Sequence, residues 1–429
     1  MAANSVTKAR SGFSVGSLAW WAAGILCFTF LAFVIINIII QFTSPGRAPA
    51  LQLVQDIPLP GALPPPGNID PLQPALSYRF DHFDFQSYDP RTGLLFMAHT
   101  GPNPDKVHTV DHNVTLDPAT DGNVLVFNTR LNQIVKRIEI PQASGVIIAP
   151  DLRKVYVAAG NDDLVFVINE LTFQILKKIN VDTQKCSAIP CEGPDAMAYD
   201  PVEHKIFVSN PGTDLPFQNV SAINAFTDTL ITNIPLGFDK AGGDDIGHNR
   251  YDPISHRDFV IMQPLPVDAN ALPQPPSYMA VIDAIRNRFI TRVRLPDSCV
   301  DPHGFTVDPQ QRMGFIACIS SNRLQRVNLD TLRFFSDGDQ AIVLPKPDIV
   351  VFDQTSHLIL IGCQFGVSVL DERNGSLRKL GDFFVGKGSH TLVVDEATHT
   401  IYLPIANVGG RPVLRVEHYD PNGLLALEH

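Results

Sequence analysis

The sequence lacks several short motifs that indicate a particular chemistry. Its 6 cysteines form neither C-x-x-C nor C-x-x-C-H, which argues against a zinc ribbon and against c-type haem. H-E-x-x-H, the signature of a zinc metalloprotease, is also absent. The segment GDFFVGKG at 381–388 resembles a phosphate-binding loop, but Gly388 occupies the position that needs Ser or Thr to hold Mg²⁺. These absences leave no motif that assigns an enzyme class.

Basic residues are also in short supply. The chain has 33 Lys and Arg against 44 Asp and Glu, a net charge of −11, and no basic tract. Nucleic acids and anionic membrane surfaces are bound chiefly through clustered positive charge. The composition therefore predicts that neither is a partner.

One long apolar run stands near the start of the chain. Residues 18–40 are almost wholly apolar, which is enough for a helix to cross a bilayer. Lys8 and Arg10 precede this run, so the positive-inside rule places the N-terminus in the cytoplasm and the rest of the chain outside it. We therefore expect a single-pass cell-membrane protein with an extracytoplasmic (periplasmic or extracellular) domain. Cleavage after a signal peptide remains an alternative, because Ala48-Pro-Ala50 has the form of a cleavage site.

The remainder of the chain is built from a repeated unit: an apolar run, a tight turn that is often Asp-Pro, and a second run rich in Val, Ile, Phe and Tyr. Seven copies occur about 40–60 residues apart, the period of propeller blades: 81–99, 144–160, 194–210, 245–262, 302–318, 347–363 and 389–405. A second hairpin follows most copies. Two hairpins make a four-stranded blade, so the sequence predicts an all-β, seven-bladed β-propeller.

The two ends of the propeller are expected to pair. Residues 50–60 have the pattern of a fourth strand, and the last blade lacks one, so we predict that they close it against 413–419; a strand supplied by the C-terminal tail is the alternative. Both tryptophans, Trp20 and Trp21, lie in the predicted membrane span, which argues against a WD repeat and a Trp-docked quinoprotein propeller. The predicted organisation is a cytoplasmic N-terminus (1–17), a transmembrane helix (18–40), a linker (41–49), the propeller (50–423, with the closing strand at 50–60 and a Pro-rich connection at 61–76) and a tail (424–429).

Four cysteines are placed as pairs. Cys186 and Cys191 flank a short loop, and Cys299 and Cys318 bracket one hairpin, whose two ends are neighbours. In an oxidising compartment we predict the disulfides Cys186–Cys191 and Cys299–Cys318. Cys363 is left as a buried thiol.

The blade segments resemble those of the YVTN/YncE-like seven-bladed propellers, here with an N-terminal membrane anchor. The resemblance covers about residues 50–419, and its most specific parts are CVDPHGFTVDPQQRMGFIAC (299–318) and GSHTLVVDEATHTIYLP (388–404). The Pro-His-Gly opening at 302–304 is typical of blade starts in that family. Because the family contains mixed functions, the resemblance implies an architecture and not an activity.

Polar side chains recur at the start of the blades, where the innermost strands should begin at one mouth of the central channel. The candidate ligand or metal residues are His82, Asp84, Asp195, His248, His303, Asp348 and His390. Carboxylates suit Ca²⁺ and imidazoles suit a transition metal. Asp and His at these positions also serve a structural role when they bond the neighbouring backbone.

Three functions are consistent with this pattern. The first is a binding or assembly module that meets its ligand, or another membrane or extracytoplasmic protein, at the channel mouth. The second is a metal-dependent hydrolase of the lactonase or esterase type, in which a cation at the mouth polarises a carbonyl. The third is a redox accessory protein with a His-bound transition metal. No catalytic signature supports the enzyme alternatives, and we therefore favour binding.

Overall fold

The structure is a computed structural model that describes residues 50–59, 83–100, 122–160, 163–181, 193–211, 218–236, 244–264, 276–336, 341–373, 375–409 and 411–426. The predicted segments 1–17, 18–40, 41–49 and 61–76, together with His82, Cys186 and Cys191, lie outside these ranges. Among the described residues, no helix has the length and apolarity needed to span a membrane.

Seven antiparallel sheets form a closed ring, as predicted. The first strand of each sheet contacts the first strands of both neighbouring sheets, including the last with the first. These strands therefore surround the central axis, and the chain is an all-β seven-bladed propeller.

The first four blades each contain four strands in chain order. Blade one consists of β2 (Phe83–Asp89), β3 (Leu94–His99), β4 (Asn123–Asn128) and β5 (Gln133–Glu139); blade two of β6 (Ala143–Ala149), β7 (Lys154–Ala159), β8 (Leu164–Asn169) and β9 (Ile175–Asn180); blade three of β10 (Met197–Asp200), β11 (Lys205–Asn210), β12 (Asn219–Asn224) and β13 (Thr229–Pro235); blade four of β14 (Asp244–Asp252), β15 (Arg257–Pro264), β16 (Tyr278–Asp283) and β17 (Arg288–Arg294).

The last three blades contain the two departures from this plan. Blade five consists of β18 (Pro302–Asp308), β19 (Met313–Cys318), β20 (Arg323–Asn328), β21 (Arg333–Phe334) and β22 (Ala341–Ile342); blade six of β23 (Val350–Asp353), β24 (Leu358–Gly362), β25 (Gly366–Asp371) and β26 (Arg378–Phe384); blade seven of β27 (Val393–Asp395), β28 (Thr400–Val408), β29 (Arg411–Tyr419) and β1 (Leu51–Pro58). In blade five, β21 and β22 both pair with β20, so the outer strand is in two pieces.

Burial falls from the axis outward and explains the sequence pattern. The second and third strands, such as β7 and β8, are apolar and nearly continuously buried, because they pack between neighbouring blades. The outer strand β9 is mostly exposed and buries Ile179 alone. The Asp at the end of a first strand fixes the turn; Asp308 Oδ1, for example, accepts hydrogen bonds from the backbone N–H groups of Gln310 and Gln311 at 2.8 and 3.1 Å.

The predicted closure is confirmed. β1 pairs with β29 from Leu51 opposite Tyr419 to Pro58 opposite Val413, and the carboxylate of Asp56 binds the guanidinium of Arg415 at 2.6 Å. A sheet edge that is paired in this way offers no template for association with other chains. A short helix, α1 (Pro421–Leu425), follows β29 and buries Leu424.

One predicted disulfide is confirmed. Cys299 and Cys318 are bonded, with their Cα atoms 5.1 Å apart, and Cys318 ends β19 opposite Pro302 of β18. Cys363 is a buried free thiol, and burial raises its pKa to about 12. It is therefore protonated and unreactive at neutral pH.

Candidate functional site

Glycines at the blade starts let the backbones of neighbouring blades approach closely. A Cβ added to Gly304 would lie 1.7 Å from the carbonyl oxygen of Asp348, and one added to Gly247 would lie 2.8 Å from that of His303. The Pro-His-Gly opening of blade five therefore has a steric basis. It draws the first residues of blades four, five and six together at one end of the ring, which we call the channel mouth.

A β-bulge directs His248 into this mouth. The register of β14 against β15 shifts between Ile246 and Asn249, so His248 lies within the bulge. A bulge re-aims a side chain relative to regular alternation. The imidazole of His248 is 1% exposed. Its ring centroid lies 4.6 Å from that of Phe85 in blade one and 5.0 Å from that of His303.

Three predicted residues meet at this point. One donor atom from each of His248, His303 and Asp348 lies within 4.8 Å of the others. Asp348 Oδ1 is 3.8 Å from His248 Nε2 and 3.7 Å from His303 Nε2. In the part of the chain that the structure describes, neither His248 Nε2 nor Asp348 Oδ1 has a hydrogen-bond partner, although both atoms are buried. A buried polar atom without a partner is costly, so a ligand atom or water is expected here.

The backbone determines the tautomer of His248. The N–H of Phe305 donates to His248 Nδ1 at 3.3 Å. Burial, and then the nearby His303, lower the pKa of His248 well below 6.5, so the ring is neutral at pH 7. Because Nδ1 accepts a hydrogen bond, the proton of the neutral ring is on Nε2. His248 therefore presents an N–H donor, and not a lone pair, to the channel mouth.

His303 is held by Gln263, whose side-chain amide contacts His303 Nδ1. Gln263 lies near the end of β15 and is 7% exposed. Gln263 and Phe305 could not be recognised as site residues from the sequence, because their contacts depend on pairing between blades. The one available signal was the polar Gln263 just before a segment, residues 264–276, that is rich in proline.

The arrangement fits an oxygen atom that both accepts and donates hydrogen bonds. Three atoms within 4.8 Å of one another leave a point about 2.8 Å from all three, which is an ordinary hydrogen-bond length. A hydroxyl or water there can accept from His248 Nε2–H and donate to the carboxylate of Asp348. A metal fits less well, because it would require the nitrogen of His248 that carries the proton.

The other predicted mouth residues do not join this group. His390 Nε2 donates to the backbone carbonyl of Phe83 at 2.9 Å, which ties blade seven to blade one. This is the structural role considered from the sequence. Asp84 and Asp195 lie within the described residues but outside the group, and His82 lies outside the described residues.

Comparisons with known proteins agree on the fold. No family model and no curated protein matches the chain. Three solved structures are similar to it. "Kuenenia stuttgartiensis Hydrazine Synthase" has 12% identity and a TM-score of 0.56, with 79% of this chain and 96% of that chain covered. "Crystal Structure of Mitotic Checkpoint Complex" has 10% identity and a TM-score of 0.56, with 88% and 94% of the two chains covered, and "Crystal structure of RRP9 WD40 repeats" has 8% identity and a TM-score of 0.55, with 79% and 94% covered. At these identities the likeness shows the β-propeller fold alone. Propellers are often binding or assembly modules, and the second structure is of a protein complex.

Proposed function

We propose that this protein is a binding module that receives the hydroxyl-bearing part of a ligand or partner at its channel mouth. The observation that carries the proposal is the convergence of His248, His303 and Asp348 with two buried polar atoms, one a donor and one an acceptor, directed at one point. A rigid ring of blades supports these side chains, so the site is pre-organised and little ordering is needed on binding.

The N-terminal run at 18–40 completes the proposal. Its length and apolarity support an anchor that holds the propeller on the extracytoplasmic side of the cell membrane. Protease treatment of intact cells tests this orientation. We expect the propeller to be accessible while the N-terminus is protected; a protected propeller would contradict the proposed location.

A comparison of two variants tests the binding proposal. Asp348→Asn removes the acceptor at the mouth, whereas His390→Gln alters a neighbouring residue that is engaged with backbone. A panel of polyols and sugars is measured by thermal shift, and copurifying membrane proteins are identified for each variant. We expect a ligand or partner that wild type and His390→Gln retain and Asp348→Asn loses. Binding that Asp348→Asn leaves unchanged would refute the proposal.

The metal-dependent hydrolase is the second candidate, and the spacing of the same three donor atoms favours it. It requires His248 to give up its bond from Phe305 N–H or to bind through an imidazolate. Elemental analysis separates the two candidates. Stoichiometric Zn or Ca that His303→Ala abolishes would favour the hydrolase, whereas metal content that is indifferent to His303 favours the binding module.

A further inference from the structure

The opposite end of the ring contains a hydrogen bond that recurs within each blade. At the end of each third strand a backbone N–H donates to the carbonyl of the residue that precedes the second strand: Thr129 to Gly93, Glu170 to Arg153, Ala225 to His204, Ala284 to His256, Leu329 to Arg312, Glu372 to His357 and Tyr419 to His399. The Asp that ends the first strand of the preceding blade faces several of these pairs. We call such an Asp and its pair an interblade node.

Two nodes bring two buried carboxyl groups together, and in one of them arginines supply positive charge. In the node of Asp89, Arg153 and Glu170, Nη1 of Arg153 lies 3.6 Å from Asp89 Oδ2 and 3.6 Å from Glu170 Oε2. Nη2 of Arg91 lies 3.0 Å from Asp89 Oδ2 as well. A guanidinium is always protonated, so it compensates the carboxylates at every accessible pH.

The second such node has a histidine in place of that arginine. Asp308 and Glu372 are each about 1% exposed, and His357 occupies the position of Arg153, with the same left-handed backbone conformation. One donor atom from each of the three residues lies within 4.8 Å of the others. His357 Nδ1 is 3.8 Å from Glu372 Oε1. A neutral imidazole gives no charge compensation, but it offers a lone pair that an arginine lacks.

Three buried atoms in this node have no hydrogen-bond partner among the described residues: Asp308 Oδ2, Glu372 Oε2 and His357 Nδ1. The other carboxylate oxygens are engaged, because Asp308 Oδ1 fixes its turn and Glu372 Oε1 accepts from Gln311 Nε2 at 2.6 Å. All three unpartnered atoms can accept a hydrogen bond or bind a cation. The channel mouth differs, because His248 presents an N–H donor there. One imidazole and two carboxylates form a donor set suited to Zn²⁺, Mn²⁺ or Fe²⁺.

We propose that Asp308, His357 and Glu372 bind a divalent transition-metal ion between blades five and six. The bound cation takes the role that Arg153 has in the equivalent node. Three protein ligands also leave room for water in the coordination shell.

The node is accessible from solvent through His357, whose side chain is 35% exposed and lines a cavity of about 610 Å³ together with Arg373 and His399. The buried Arg326 is a positive charge that acts on Glu372.

Zn²⁺ and Mn²⁺ binding to the chelator-treated full-length chain tests the proposal. The variants are His357→Arg, which reproduces the arginine node, and Glu372→Gln, which is nearly isosteric; Glu170→Gln, the same change in the arginine node, is the matched control. Bound metal is counted by elemental analysis after equilibrium dialysis.

We expect about one ion per chain. His357→Arg and Glu372→Gln should each weaken binding by about 100-fold or more, since even outer-shell changes weaken metal sites by 10–100-fold, and Glu170→Gln should bind as wild type does. The absence of stoichiometric binding to wild type would overturn the proposal. Binding that survives in both node variants, or that Glu170→Gln abolishes, would overturn it as well. The mouth proposal concerns different residues and does not depend on metal binding at the node.

Discussion

Replacing Gly304 with alanine tests the packing that builds the channel mouth. The new Cβ would lie 1.7 Å from the carbonyl oxygen of Asp348 and 2.7 Å from its carbonyl carbon, whereas real Cβ atoms essentially never come within 3.0 Å of another heavy atom. Blades five and six must therefore separate locally by at least about 1.3 Å, which is the difference between the 1.7 Å contact with the carbonyl oxygen and the 3.0 Å limit. Both groups are backbone, Gly304 in β18 and Asp348 just before β23, so no side-chain rotation relieves the clash.

We expect this variant to lose about 3 kcal/mol of unfolding free energy, at the upper end of the range for overpacking. Asp348 would also move away from His248 and His303, so ligand binding at the mouth should weaken. Chemical denaturation measures the first effect. Gly160→Ala is the matched control, because its Cβ would lie 3.9 Å from the nearest neighbouring atom, the Gln142 carbonyl oxygen, and we expect a change within about 0.5 kcal/mol. Equal stability of the two variants would refute the assigned role of Gly304.

Three further predictions concern the stability of the ring. The folded-state pKa of Glu372 is raised from 4.5 to about 8, so its contribution to stability is fully present below pH 4.5 and is lost as the pH rises through 8. In metal-free protein, the urea midpoint should therefore decline between pH 5 and 8, and Glu372→Gln should flatten this decline. An unchanged pH profile in the variant would contradict the raised pKa. Cys299→Ser with Cys318→Ser should lower the unfolding free energy by about 2–5 kcal/mol, and reduced wild type should match it in the same denaturation assay. Leu59 lies beside the closing strand and is 3% exposed. Leu59→Ala should lower the unfolding free energy by about 2–5 kcal/mol. A thermal midpoint equal to that of wild type would mean that this end of the chain does not contribute to closure.

The sequence was sufficient for the fold because each hairpin carries its own signals. The Asp at the end of β18 with the following Pro fixes a turn between two apolar runs, and similar units recur in the other blades. The closing strand was predictable because β29, which pairs with β28 on its inner side, would otherwise lack an outer partner. The pairing of β20 with two short outer strands, β21 and β22, was not predicted; each of these strands has only two residues and is partly exposed, so little constrains their pairing.

The sites were only partly predictable. His303 and Asp348 could be predicted as site residues from their positions at blade starts. The direction of the buried His248 side chain depends on a bulge in β14 that the sequence does not indicate. The node of Asp308, His357 and Glu372 joins two blades, and no local motif links these residues. They are close because neighbouring blades pack side by side in the ring. The comparison with Arg153 and Glu170 in the equivalent node shows which positions meet there.

The most direct test of the channel-mouth account is a high-resolution crystal structure of this region with anomalous data. We predict an oxygen atom of water or ligand at about 2.8 Å from His248 Nε2, His303 Nε2 and Asp348 Oδ1, with no anomalous signal at that point. An anomalous peak at about 2.0–2.2 Å from the same atoms would show a metal centre and contradict the account.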